Sequence, residues 1–318
     1  MLYRLARRLR FSRMPLVLAA AGIAAALTAC GSSTFESADD KIKVTTTIGM
    51  ITDVVNEIGG DRVAVEGLMK SNVDPHLYKA SQGDIKKLDH ADVIFYNGLH
   101  LEGKMVEIFE RMAGKKPTVA VSRNLADDRL RLGDPAQGTE HDPHIWFDVR
   151  NWMSAAEVIR DTLAERDPAH AQSYRDRADA YLEKLAQLHE EVREQIASIP
   201  ESGRVLVTAH DAFGYFGDAY GIKVMGLQGI STASEAGTKD VADLRDYLVE
   251  NRIKAVFIES SVPRKAIDAV IQGAKAKGHD LVIGGELFSD AMGAEGTEEG
   301  TYVGMVRHNV RTIVEALR

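Results

Sequence analysis

"DPAHAQSYRDRADAYLEKLAQLHEEVREQIASIP", residues 167–200, is the stretch on which the fold turns. Tyr174, Ala178, Tyr181, Leu185, Leu188, Val192 and Ile196 recur every three or four residues and mark one apolar helical face. Pro168 suits a helix start and Pro200 a stop. A helix of roughly thirty residues spans about 45 Å at 1.5 Å per residue, enough to run the length of two lobes. About four heptads would also serve a coiled-coil dimer. The flanks, however, have the pattern of globular sequence, so an intramolecular spine and a monomer are the better reading.

On the amino-terminal side, "KIKVTTTIG", "VAVEGLM", "ADVIFYNG" and "TVAVS" read as strands, with helices around 50–58, 81–88 and 103–113. On the carboxyl-terminal side, "RVLVTA", "IKVMGL", "KAVFIES" and "DLVIGG" read as strands, with helices near 211–220, 238–251, 263–277 and 298–317. Strand–helix alternation of this kind builds parallel βαβ units. The expected class is therefore α/β, with two similar parallel-sheet lobes, 41–167 and 200–318, joined by one long α-helix over 168–199.

The first forty residues have a different character. Arg4, Arg7, Arg8, Arg10 and Arg13 precede the apolar run "MPLVLAAAGIAAALTAC", which is too short and small-residued for a transmembrane helix. A basic region, an apolar region and small residues before a cut site read as a secretory signal over 1–29. Leu27-Thr28-Ala29-Cys30 resembles the bacterial lipobox, in which the cysteine is lipidated and becomes the first mature residue. A plain signal peptide with an incidental cysteine is the rival, but Cys30 is the only cysteine of the chain and falls at the cut. "GSSTFESADD" then reads as a tether completing residues 30–40. Anchoring to the outer face of the cell membrane through an acylated Cys30 is expected, since dual acylation gives stable attachment. Without Cys30 there is no thiol for a disulfide, a thiolate metal site or a nucleophile. The chain carries a formal charge of −8, and loss of the five arginines in 1–29 takes the mature protein to −13. That balance argues against nucleic acid as a partner.

Five of the ten histidines need no function: His90, His170, His189, His279 and His308 lie in helical or surface contexts. Three differ. His76 and His144 each follow an Asp-Pro pair, in "SNVDPHLYKAS" and "EHDPHIWFD", and His210 ends "VLVTAH" where a helix begins. Proline fixes its own φ and holds the preceding residue extended, so the following histidine leaves in a set direction. All three fall at strand-to-helix turns, where ligands collect in open α/β sheets. Asp290 in "GGELFSDAMG", after the last strand, is the fourth candidate. Three imidazoles and a carboxylate, two donors from each lobe, would close a metal site in the interlobe cleft. That donor set suits zinc, manganese or iron(II). His141 and His100 are understudies.

The whole mature chain resembles the cluster 9 (cluster A-I) metal-binding lipoproteins of ABC manganese and zinc importers, of the TroA-like type. The resemblance rests on "DPHLYKAS", "NGLHLE", "DPHIWFD", "TAHDAFGYFGDAYGIK", "GLQGISTASEAGTKD", "FIESSVP" and "GGELFSDAMG" with "GTYVGMVRHN". It implies two α/β lobes on one long helix, metal ligands at His76, His144, His210 and Asp290, and delivery of the ion to an ABC membrane permease. Manganese-selective relatives often carry Glu where this chain has His210. Zinc-dedicated relatives often carry a long His-rich loop where this chain has only "LGDPAQGTEHD". Manganese and zinc both stay open on these grounds. Two other classes compete with this one, a zinc-dependent hydrolase with Asp211 or Glu286 as base and an adhesion lipoprotein. A closed four-donor set leaves little room for the open coordination position that catalysis needs, so no enzymatic activity is expected.

Overall fold

The computed structural model describes residues 41–135 and 139–318. The signal segment 1–29, Cys30 and the tether lie outside the described residues. The chain opens with β1 (Ile42–Thr46), α1 (Gly49–Gly59), β2 (Val63–Gly67), α2 (Gln82–His90), β3 (Val93–Tyr96), α3 (Val106–Ala113) and β4 (Thr118–Ala120). The four strands form one parallel sheet in the order β2-β1-β3-β4. β3 buries both faces, with Val93, Ile94 and Phe95 sealed from solvent, as suits a parallel strand covered by helices on each side. Helix α2 starts at a capping box: Asp84 N–H donates to Ser81 Oγ, and the Asp84 carboxylate accepts from Ser81 N–H.

The spine follows. Helix α4 (Val149–Arg166), capped by the Asp148 carboxylate on Arg150 N–H, leads into α5 (Ala171–Ala197). α5 has 27 residues and so runs about 40 Å. Its buried residues are the seven that the periodicity marks, Tyr174 through Ile196. A short 3-10 turn at Pro168–His170 precedes it, and it ends three residues before Pro200. α4 was not expected from the sequence. It packs along α5, and both pack on α1, so the one long helix that the sequence announces is flanked by a second, shorter one.

The second half comprises β5 (Val205–His210), α6 (Gly214–Tyr220), β6 (Lys223–Gln228), α7 (Thr238–Glu250), β7 (Ala255–Glu259), α8 (Lys265–Ala276), β8 (Val282–Leu287) and α9 (Tyr302–Leu317). Parallel ladders join β5 to β6 and β7 to β8. β5 and β7 lie side by side, yet no ladder joins them among the described residues. The second lobe therefore repeats the spatial order of the first as β6-β5-β7-β8, but in two hydrogen-bonded halves.

A continuous core runs from β1 through α4 and α5 to α9, and includes Trp146, Trp152, Tyr174 and Tyr302. A smaller core lies among β5–β8, α7 and α8, around Val207, Leu248, Val256 and Ile267. Polar links reinforce the first core across the lobes. Asp53 of α1 accepts from Tyr302 N–H at 2.9 Å and so caps α9. Trp146 Nε1–H donates to Ser289 O at 3.1 Å, and Tyr302 Oη–H donates to Trp146 O at 2.7 Å. Among the described residues, no helix is long and apolar enough to cross a membrane.

Candidate metal centre

Each of the four singled-out side chains sits beyond the carboxyl end of a strand. His76 lies between β2 and α2, His144 between β4 and α4, His210 ends β5, and Asp290 lies between β8 and α9. The chain folds so that these turns converge. One donor atom from each residue lies within 4.8 Å of every other, and all four residues are buried. His76 Nε2 stands 3.3 Å from His144 Nε2 and 3.6 Å from Asp290 Oδ2. Nε2 of His144 and Nε2 of His210 are each 3.3 Å from an Asp290 oxygen. The three rings surround one point, with centroids 5.3 to 6.0 Å apart.

His76 Nε2 and His144 Nε2 stand within hydrogen-bond reach of each other, whereas the approaches to Asp290 are ionic contacts rather than aligned hydrogen bonds. Both Asp290 carboxylate oxygens and His210 Nε2 are sealed from solvent and have no hydrogen-bond partner. Native interiors rarely leave buried polar atoms unpaired. Three of them aimed at one small space, with no thiolate nearby, fit a divalent transition ion.

Electrostatics sort the four groups. Burial drives the His76 imidazole down to about 3, with Asp290 offsetting only part of it. Burial pulls His144 down as well, but Asp142 and Asp290 outweigh it and raise that imidazole to about 9. His210 is raised well above its usual value, because Glu259 and Asp290 overcome its burial. Burial pushes the Asp290 carboxyl up, and the facing His210 and His144 reverse that and hold it well below the carboxylate range.

The neighbouring histidines take local partners instead. His170 Nδ1 meets Asp167, His189 meets Tyr220 Oη, His279 meets Ile253 O, and His308 meets Glu286 O. His141 bridges the backbone to Leu132 and stands outside the cluster, as do His100 and Asp211; Glu286 is exposed.

Several supporting residues were missed by the sequence reading. Asp142 and Glu259 hold the rings of His144 and His210 at Nδ1, at 2.7 and 2.5 Å. Asp74 accepts from His76 N–H at 2.8 Å and from Thr232 Oγ1–H, across the lobes, at 2.6 Å. Glu102, fully buried, accepts from Thr47 Oγ1–H at 2.6 Å and Asn97 N–H at 2.8 Å, closing a left-handed turn at Gly98, Leu99 and His100. Asn97 Nδ2–H in turn donates to Pro143 O at 2.9 Å, one residue before His144. Glu259 ends β7 in "FIESSVP" and Glu102 follows β3 in "NGLHLE", but neither stretch says which partner its carboxylate meets.

Two α/β lobes on a long helical spine, with one buried polar cluster between them, define a solute-binding protein of the rigid-spine class. A family model described as ZnuA, the periplasmic component A of a zinc-uptake complex, matches residues 44–316, and the chain belongs to that family. It is 52% identical over 295 residues to the manganese-binding lipoprotein MntA of Bacillus subtilis (strain 168), covering 92% of this chain and 95% of that one. It is 49% identical over 282 residues to the zinc-binding protein TroA of Treponema pallidum (strain Nichols), covering 88% and 90%. The solved structure of periplasmic zinc-binding TroA from Treponema pallidum superposes with a TM-score of 0.85 at 48% identity, over 87% of this chain and 99% of that one.

Proposed function

We propose that this protein is the extracytoplasmic receptor of an ABC importer, capturing one divalent transition metal and handing it to a membrane permease. His76, His144, His210 and Asp290 are its four donors. The observation that carries the reading is the convergence of three imidazole nitrogens and a carboxylate in a buried space, with both Asp290 oxygens and His210 Nε2 left unpartnered there. The relatives named for manganese and for zinc support both ions as cargo. Affinity for such a site rises toward zinc along the Irving–Williams order, while two Asp290 oxygens favour manganese by allowing a higher coordination number. The metal delivered is then set by supply as much as by the site. The burial of all four donors supports a binding site over a hydrolytic one, because a catalytic metal must also hold water or substrate. The lipoprotein names of relatives support anchoring through Cys30.

The test is thermal stabilisation. An ion that binds only the folded state adds about 4 kcal/mol at a thousandfold excess over Kd. Alanine at any one of the four donors should erase most of the melting-temperature rise given by zinc or manganese, while His90→Ala should keep it. Full stabilisation of Asp290→Ala by both ions would reject Asp290 as a donor.

A further inference from the structure

Two carboxylates outside the donor set each grip one histidine at two points. Asp142 Oδ1 accepts from His144 N–H at 3.0 Å and lies 2.7 Å from its ring Nδ1. Glu259 divides the same task between its oxygens: Oε1 accepts from His210 N–H at 2.8 Å, and Oε2 lies 2.5 Å from Nδ1. The device occurs once in each lobe, by unrelated routes. Asp142 reaches forward two residues along its own loop, whereas Glu259 reaches from the end of β7 to the end of β5. Both carboxylates are buried, and Asp142 Oδ2 faces Arg131 Nε at 3.5 Å.

A carboxylate only accepts hydrogen bonds. The ring nitrogen facing it must therefore carry the hydrogen, which leaves the lone pair of the neutral imidazole on Nε2. That is the nitrogen facing Asp290 in both histidines, at 3.3 Å. His76 differs: Asp74 holds its backbone N–H, but the other Asp74 oxygen is taken by Thr232, so this carboxylate does not grip the ring.

We infer that Asp142 and Glu259 are positioning residues for metal capture, selecting Nε2 as the donor atom of His144 and His210 and aiming both rings at the ion. The inference rests on the metal-receptor reading given above. Partners of this kind, one bond removed from the ion, are worth about 10- to 100-fold in metal affinity.

The isosteric amides Asp142→Asn and Glu259→Gln test it. An amide has one accepting oxygen and an NH2 that only donates, so Glu259→Gln cannot satisfy both N–H groups of His210, while Asp142→Asn keeps the accepting oxygen but loses the negative charge beside the His144 ring. Each variant should bind zinc about 10- to 100-fold more weakly than wild type, measured by competition with a chelator. Nitrogen-15 NMR of zinc-loaded wild-type protein should show His144 and His210 bound through Nε2, each with a slowly exchanging proton on Nδ1. In the amide variants the corresponding proton should shift or vanish. Wild-type zinc affinity in both variants, with the Nδ1 protons unchanged, overturns this inference alone. Coordination through Nδ1 in the wild-type protein does the same, and that measurement stands even if a variant does not fold. Failure of the wild-type protein to take up zinc or manganese overturns the receptor reading and this inference with it.

Discussion

In the metal-free protein, the charge balance at the site favours protons on His144 and His210, which face the carboxylates of Asp142, Asp290 and Glu259. A metal ion needs those nitrogens bare, so loading must expel the protons. His76, held down at about 3, has none to give at neutral pH. Uptake at pH 7.5 should therefore release about two protons, and affinity should fall about a hundredfold per pH unit through the neutral range. Calorimetry in buffers of different ionisation heat reads the number directly; release of less than one proton would contradict the charge balance. Free histidine titrates near 6.5, so sequence alone would set this window too low. The same protons bear on stability. A folded value raised above the unfolded one contributes stability that is whole below about pH 6.5 and is lost as pH rises through about 9. The empty protein should lose melting temperature across that range, and the loaded protein should hold it. The four residues proposed as donors stand out in the sequence because each lies at a strand-to-helix turn, two of them behind a stiff Asp-Pro. Asp142 stood beside one of them, unassigned. Glu259 was hidden, because 49 residues separate it from the ring it holds and only the fold brings them together.

Helix α5 could be read from sequence because it buries one stripe and leaves the rest wet. Leu185, sealed at the middle of that stripe, should cost about 2–5 kcal/mol when cut to alanine, seen as a lower urea midpoint. Glu194→Ala on the exposed face should change stability by less than about 0.5 kcal/mol. A cost at Leu185 no greater than at Glu194 would mean that the stripe is not the packing face. Helix α4 escaped the same reasoning for a physical reason. It is covered by α5 on one side and α1 on another, so its buried residues spread over more than one stripe and include the polar Asn151 and Thr162. A helix wrapped on two sides loses the period that announces it. The second lobe held a comparable surprise, since apolar runs announce strands but do not say which neighbours will share a ladder. Four strands were expected to make one sheet, and they make two pairs.

Taken as a whole, residues 41–318 form one compact unit whose main core crosses from β1 to α9. The cap of Asp53 on α9, the Trp146–Ser289 bond and the Asp74–Thr232 bond all tie the two halves together. A long helical pair beneath such ties opposes wide hinge opening. Solution scattering should give nearly the same radius of gyration for empty and loaded protein, and a large difference would show that the spine bends. Between β5 and β7, meanwhile, a glutamate side chain closes a gap that ladder bonds leave open. That line is a seam, and the ring of His210 is its button, fastened by Glu259 on one side and by cargo on the other. With cargo aboard, the amides of Ala209 and His210 should exchange with deuterium more slowly than in the empty protein, while those of β1 stay unchanged. Equal rates would mean the seam ignores what the receptor carries. Slower rates would mean that load is recorded as stiffness along one line of the sheet, and not as a change of shape.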